Sequence, residues 1–365
     1  MSIAIVLGTR PEIIKMSPII RECEQKNLDY FILHTGQHYS YEMDRVFFEQ
    51  LELPKARYNL DVGSRTHSMQ TGRIMAGIEK VLIKEKPDTV LVQGDTNTVL
   101  AGALAASKLH IWVGHVEAGL RSYDRNMPEE INRVLADHCS DCLFAPTKGA
   151  RNILLGEGIP ADMVYVTGNT IVDAVRQNVE IAAKKASILD KLDIAPGEYL
   201  LTTAHRQENV DDRIRLTGIL KGLECLAREF DMPVIYPVHP RSLKRIREFG
   251  ISTNGNVQFI EPVDFMSFLQ LEKNAGLILT DSGGVQEESC ILGVPCVTLR
   301  SNTERPETIE VGANVLARTE PWRILDCARI MIQKERTWDN PFGDGKAGEK
   351  IRRIITMVLG NNVKN

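Results

Sequence analysis

Residues 114–133 read GHVEAGLRSYDRNMPEEINR. They gather four carboxylates (Glu117, Asp124, Glu129, Glu130), three arginines (Arg121, Arg125, Arg133) and His115. The stretch follows the apolar run Ile111, Trp112, Val113, so Glu117 lies near a strand end, where an open parallel sheet receives its ligand. Pro128 suits the first turn of a helix, and Glu129 and Glu130 suit its positive end. Glu129 and Arg133 are four apart and share a helix face. Asp95 ends another apolar run, TVLVQGD. Three carboxylates, Asp95, Glu117 and Glu129, could then serve one site. Closely spaced carboxylates push one another's pKa values apart, so some could act as acids and others as bases at neutral pH. The plainer alternative is a capped surface helix with one ion pair.

Other apolar runs also end in polar groups. GTRPE (8–12) supplies Arg10, with Lys15 one turn into the next helix. Further run ends supply Gln37 and His38, His205 and Arg206, His239, and Asp281 with Ser282. In DSGGVQEESC (281–290), Ser282, Gly283 and Gly284 precede a helix. Glycines admit a ligand close to the backbone, and free amides at a helix start favour an anion such as a pyrophosphate. Glu288 lies about a turn and a half further on and could accept from ribose hydroxyls. An ordinary Gly-rich turn is the alternative. TERPE (303–307) repeats the RPE of the first loop and places Arg305 after a strand of the second half. GTRPEIIK lacks the second glycine and Ser/Thr of a P-loop, no G-x-G-x-x-G opens the first helix, and no G-x-S-x-G elbow occurs.

These groups need elements to position them. Short apolar runs alternate with amphipathic stretches: IAIVLG (3–8), YFILHTG (30–36), TVLVQGD (89–95), IWVGHVEAG (111–119), CLFAPT (142–147) and MVYVTGN (163–169). After a polar-faced helix at roughly 170–189 and the turn IAPGEY, the pattern restarts with YLLTTAH (199–205), PVIYPVH (233–239), VQFIEP (257–262), GLILTDS (276–282) and PCVTLR (295–300). This rhythm predicts βαβ units and parallel sheets. We expect two Rossmann-like doubly wound α/β domains facing a central cleft: 1–169 carrying the acids, 170–345 binding the anion, and a helix over 346–365 crossing back to the first domain.

The chain's 365 residues exceed one ordinary core. Net charge is −4, from 44 basic and 48 acidic residues, which gives no reason to expect a nucleic-acid partner. No apolar run approaches the roughly 20 residues of a membrane span. The start, MSIAIVLGTRPE, reads as a first strand and not as a signal peptide. Cys139 and Cys142 form one C-x-x-C after His138, with no second ligand pair nearby. No metal is expected, and the seven cysteines read as reduced thiols of a cytoplasmic protein.

GTRPEIIK, TGQH, VQGDT, HVEAGLRS, PEEINR, HRQEN, TDSGGVQEE and TERPE, in that order, resemble the non-hydrolysing UDP-N-acetylglucosamine 2-epimerases. The resemblance runs from residue 3 to about 310 and touches both halves. It implies the GT-B fold, a cytoplasmic homodimer and no cofactor. It implies UDP-GlcNAc and UDP-ManNAc as ligands, interconverted by eliminating UDP to 2-acetamidoglucal and adding it back, to supply polysaccharide precursors. On this resemblance Asp95, Glu117 and Glu129 are the acid/base carboxylates, with His205 grouped among the catalytic residues. Arg10, Lys15, Arg133, Arg206 and Arg305 would hold phosphates and sugar, Ser282, Gly283 and Gly284 the diphosphate, and Glu288 the ribose.

One departure stands out. After GQH the chain reads YSYEMD, whereas many bacterial members carry a polar residue, often Gln, where Ser40 stands. That segment contributes to a second, activating UDP-GlcNAc site in bacterial members. Gln37, His38 and His239, with Arg206, are the groups here that could form one. The alternatives are a hydrolysing relative releasing UDP and ManNAc, a GT-B glycosyltransferase, and a nucleotide-sugar sensor. The second would need an acceptor site that the sequence does not display. The third would gain little from buried carboxylates.

Overall fold

A computed structural model describes residues 1–37, 41–185, 188–253 and 255–362. It divides into two units, Met1–Gln177 with Phe342–Asn365, and Asn178–Pro341.

The first unit is built on a parallel sheet of β1 (Ser2–Leu7), β2 (Asp29–His34), β3 (Tyr58–Asn59), β4 (Thr89–Gln93), β5 (Trp112–Val116), β6 (Cys142–Ala145) and β7 (Val164–Val166). Their spatial order is β3-β2-β1-β4-β5-β6-β7. Ile3 through Leu7 are all buried, as in a sheet covered on both faces, where strands read as continuous apolar runs. Val6, Val92 and Val113 pack with Ile74 and Ile78 of helix His67–Glu85 and with the Ala-rich helix Asn97–Lys108. The strand order reverses between β1 and β4, the switch point beyond which such sheets bind ligands. Gly8 closes β1 because a Cβ there would lie 2.0 Å from Thr35 Oγ1 and 2.5 Å from Thr98 Oγ1.

The second unit repeats the plan with β8 (Leu200–Thr203), β9 (Val234–Pro237), β10 (Val257–Ile260), β11 (Leu277–Thr280), β12 (Cys296–Thr298) and β13 (Asn314–Leu316). Its order, β10-β9-β8-β11-β12-β13, is again all parallel and reverses between β8 and β11. Leu200, Leu220, Leu223, Leu279 and Ile324 form its largest core. Two Rossmann-like units in one chain are the makeup of the GT-B class.

The sequence marks no strand at β3 or β13. Both are edge strands of two or three residues, too short to show a period. Helix Ala347–Asn362 belongs to the first unit and packs on helix Arg10–Gln25. Arg352 Nε meets Glu22 at 3.0 Å, and a Cβ on Gly348 would lie 3.1 Å from Pro18. Asp173 accepts from the amides of Ala347 and Gly348 at that helix's start, at 3.2 and 3.0 Å. Among the described residues no helix is long and apolar enough to cross a membrane.

Candidate active site

In the first unit, the carboxyl ends of β1, β4 and β5 bring charged groups together. Lys15, in the second turn of helix Arg10–Gln25, donates to both oxygens of Glu117 at 2.8 and 2.7 Å. Gln93, the last residue of β4, donates to Glu117 Oε2 at 2.6 Å. Glu117 is buried, and its φ of +68° lies in the left-handed region. A non-glycine residue pays a conformational cost there, one that neighbouring bonds must offset. Such outliers gather at functional sites.

Asp95, just past β4, is paired with Arg133 on helix Pro128–Cys139. Arg133 also reaches Glu130 Oε2 at 3.2 Å. Glu130 is buried and pins the preceding loop, accepting from Ser122 N and Oγ at 2.8 Å and Tyr123 N at 3.0 Å. Burial alone would raise its pKa, but these bonds and Arg133 hold the carboxyl below its ordinary range. Glu129 is half-buried, and its side chain makes no hydrogen bond or ion pair among the described residues. The expected Glu129–Arg133 pair does not form; Arg133 takes Asp95 and Glu130 instead. Residues three and four apart both share a helix face, and only the position of the β4 end decides between them.

Arg10 donates to Asp44 Oδ1 at 3.3 Å and lies over the Phe47 ring, 4.8 Å from its centroid. Behind it, Glu12 accepts from the amides of Gly8 (2.5 Å) and Thr9 (3.1 Å), fixing the GTR turn. Burial raises Glu12 to about 7 despite those bonds. Gln37 faces inward, its Oε1 accepting from Thr98 N (2.9 Å) and Oγ1 (2.8 Å). His38 and Ser40 lie outside the described residues.

The second unit holds a different set at the ends of β8, β11 and β12. Asp281 is fully buried and accepts from His205 N (3.1 Å), Arg206 N (2.9 Å) and Asn209 Nδ2 (3.1 Å). It thereby fixes the loop presenting the exposed His205 ring. Ser282 precedes helix Gly283–Leu292 and makes no capping bond with its side chain. A Cβ on Gly283 would come no closer than 3.7 Å to another group, and one on Gly284 no closer than 3.9 Å. The chain's own packing therefore does not demand glycine here. Glu288 neighbours Glu272, a fully buried carboxyl; burial and the adjacent Glu288 carboxyl keep Glu272 well above the ordinary range. An open cavity of about 250 Å³ is lined by Ala204, His205, Tyr236, Pro237, His239 and Phe268, among others. His239 Nδ1 also accepts from Arg241 N at 3.2 Å, capping helix Pro240–Glu248.

Arg305 pairs with Glu287 at 2.6 Å. Arg206 lies 3.7 Å from Glu304, which is held mainly by Arg300 at 2.8 and 2.9 Å. The Arg300 bonds pull Glu304 down to about 2. The folded state then binds fewer protons than the unfolded chain, so the pair's stabilisation is present above the unfolded pKa and is lost on acidification. Glu304→Gln should lower the urea midpoint at neutral pH, with the gap from the unsubstituted protein narrowing from about pH 5 to pH 3. A gap independent of pH would show that the charge contributes nothing.

Gln93, Glu130 and Asp281 escape a search for strand-end acids and cations, or enter it without a role. The signal for the first two is adjacency: Gln93 precedes Gly94–Asp95, and Glu130 follows Glu129. All seven cysteines are free thiols, and no group of three or more His, Cys, Asp or Glu among the described residues could hold a metal.

A family model described as UDP-N-acetylglucosamine 2-epimerase matches residues 21–356. A UDP-N-acetylglucosamine 2-epimerase of Methanocaldococcus jannaschii is 57% identical over 98% of this chain and 99% of its own. The crystal structure of the Methanocaldococcus jannaschii UDP-GlcNAc 2-epimerase in complex with UDP-GlcNAc and UDP superposes with a TM-score of 0.86, at 57% identity, covering 98% of this chain and 100% of that one. A UDP-2,3-diacetamido-2,3-dideoxy-D-glucuronate 2-epimerase of Pseudomonas aeruginosa is 42% identical over 98% of this chain and 100% of its own.

Proposed function

The chain belongs to the UDP-N-acetylglucosamine 2-epimerase family, and from that premise we propose that it interconverts UDP-GlcNAc and UDP-ManNAc at C2 without releasing free sugar. The observation that carries this reading is the pair of carboxylates at neighbouring strand ends, each held by a cation: Glu117 by Lys15 and Asp95 by Arg133. Epimerisation needs a base on one face of C2 and an acid on the other. The C2 proton is not acidic, so its removal is coupled to loss of the C1 substituent. A carboxylate takes the proton, the C2–H electron pair forms the C1–C2 double bond, and UDP departs with the bonding pair of the C1–O bond. In return, the UDP oxygen attacks C1 of the glucal while a second acid protonates the opposite face of C2. Asp95, Glu117 and Glu129 supply the acid/base groups. Arg10, Lys15, Arg133, His205, Arg206 and Arg305 are the cations proposed for the developing charge on the diphosphate.

Ser282, Gly283 and Gly284 take the diphosphate at the helix start, Glu288 takes the ribose diol, and the cavity beside His205 suits a flat pyrimidine. We propose a cytoplasmic homodimer whose product feeds polysaccharide synthesis. The test is incubation with UDP-GlcNAc in deuterated water. Expected are UDP-ManNAc and recovered UDP-GlcNAc, both carrying deuterium at C2. Stoichiometric free UDP and ManNAc would establish the hydrolysing reaction instead. Turnover only of the 2,3-diacetamido-glucuronate analogue would assign the substrate of the Pseudomonas relative.

A further inference from the structure

We propose that His115 is a positioning residue, held as an imidazolium, that clamps together the chain segments bearing Asp95 and Glu117. The ring is fully buried in β5. Its Nδ1 lies 2.7 Å from Asp137 Oδ1 and its Nε2 lies 2.8 Å from the Gly94 carbonyl. A carboxylate and a carbonyl are both acceptors, so each contact needs an N–H, and only the imidazolium carries two.

The charged groups facing the ring are few. Asp137 comes from helix Pro128–Cys139, Arg121 touches Asp137 at 2.7 Å, and Asp95 lies just beyond the Gly94 peptide. Arg121 is in turn paired with Glu157 at 2.5 Å, so the cluster holds two cations and two anions besides Asp95. Burial alone would lower the His115 pKa, but the Asp137 charge, its hydrogen bond and the Gly94 carbonyl raise it above the ordinary value. Asp137 is held below its own range against burial by His115 and Arg121.

The clamp acts on the two acids through the backbone. Gly94 immediately precedes Asp95. On the other side, Asp137 Oδ2 accepts from Gly119 N at 3.2 Å, two residues past Glu117. A continuous path, Gly94–His115–Asp137–Gly119, therefore ties one acid's segment to the other's. A neutral ring would lose one of its two bonds and leave a buried acceptor unmet. This inference rests on the proposed acid/base roles of Asp95 and Glu117.

The charge state is read by ¹⁵N NMR of the full-length protein labelled at histidine, with His115→Gln identifying the signal. Both ring nitrogens should stay protonated throughout the neutral range. His115→Gln and Asp137→Asn should each lower kcat by about 10²-fold, the scale of a small misplacement of reacting groups. The inhibition constant of UDP should stay unchanged, and the double variant should lose little more than either single one, as coupled groups do. A neutral ring in the spectrum, or variants with unaltered kcat, would overturn the clamp. Losses shared between kcat and UDP binding would reduce it to general stability. Should either variant fold poorly, the His115 ring signal is assigned through its bonds to the sequentially assigned backbone, and the spectrum of the unsubstituted protein still decides. If the unsubstituted protein shows no epimerisation, the proposed function falls, and the charge state is still judged by the spectrum.

Discussion

Asp95→Asn, Glu117→Gln and Glu129→Gln should each lower kcat by at least about 10²-fold, the usual scale for a positioned acid or base, while UDP still binds. The three differ in what else they disturb. Glu117 is buried against Lys15, and breaking such a pair from one side costs about 3 kcal/mol or more. Glu117→Gln should therefore melt earlier as well as turn over more slowly. Asp95 is about a third exposed, and its partner Arg133 keeps Glu130, so Asp95→Asn should fold almost normally. The Glu129 side chain has no bond to lose among the described residues. Its variant should lose activity with no loss of stability. Kinetics and thermal melting on the same samples separate these cases, and any variant with near-normal turnover removes that residue from the chemistry.

Lys15→Met should reduce kcat by roughly 10²-fold, the loss expected for one preorganised electrostatic contact. In the proposed elimination UDP leaves as negative charge develops on the oxygen bonded to C1, and a contact that strengthens with that charge appears in kcat. The free protein has Lys15 on Glu117, so the same ammonium that holds the carboxylate is available to the departing anion. Glu288→Gln, at the proposed ribose position, should mainly raise KM. Equal losses confined to KM in both variants would show that Lys15 only binds UDP.

Much of this site is legible along the chain because parallel sheets put ligands at strand ends. An apolar run followed by a polar residue marks Arg10, Asp95, Glu117, His205 and Ser282 directly, and the structure places each just beyond the carboxyl end of β1, β4, β5, β8 or β11. The repeated rhythm likewise gives two sheets, since alternating runs and amphipathic stretches permit little else. Partners are less legible. Nothing local separates Glu129 from Glu130 as the mate of Arg133, and the bond from Gln93 to Glu117 joins residues 24 apart across two strands. The His115–Asp137–Arg121 cluster is hidden for the same reason. Its histidine sits inside a strand, where it reads as an ordinary interior residue, and only the turn of the following helix carries Asp137 to it.

The departure and return of UDP across C1–C2 is tested most directly with UDP-GlcNAc carrying ¹⁸O in the oxygen that bridges C1 and the β-phosphorus. Once the C1–O bond breaks, the β-phosphate oxygens of bound UDP become equivalent by rotation. The label in recovered UDP-GlcNAc and in UDP-ManNAc should therefore spread into non-bridging positions as epimerisation proceeds. UDP-ManNAc formed with all of its label still in the bridge would contradict elimination and re-addition.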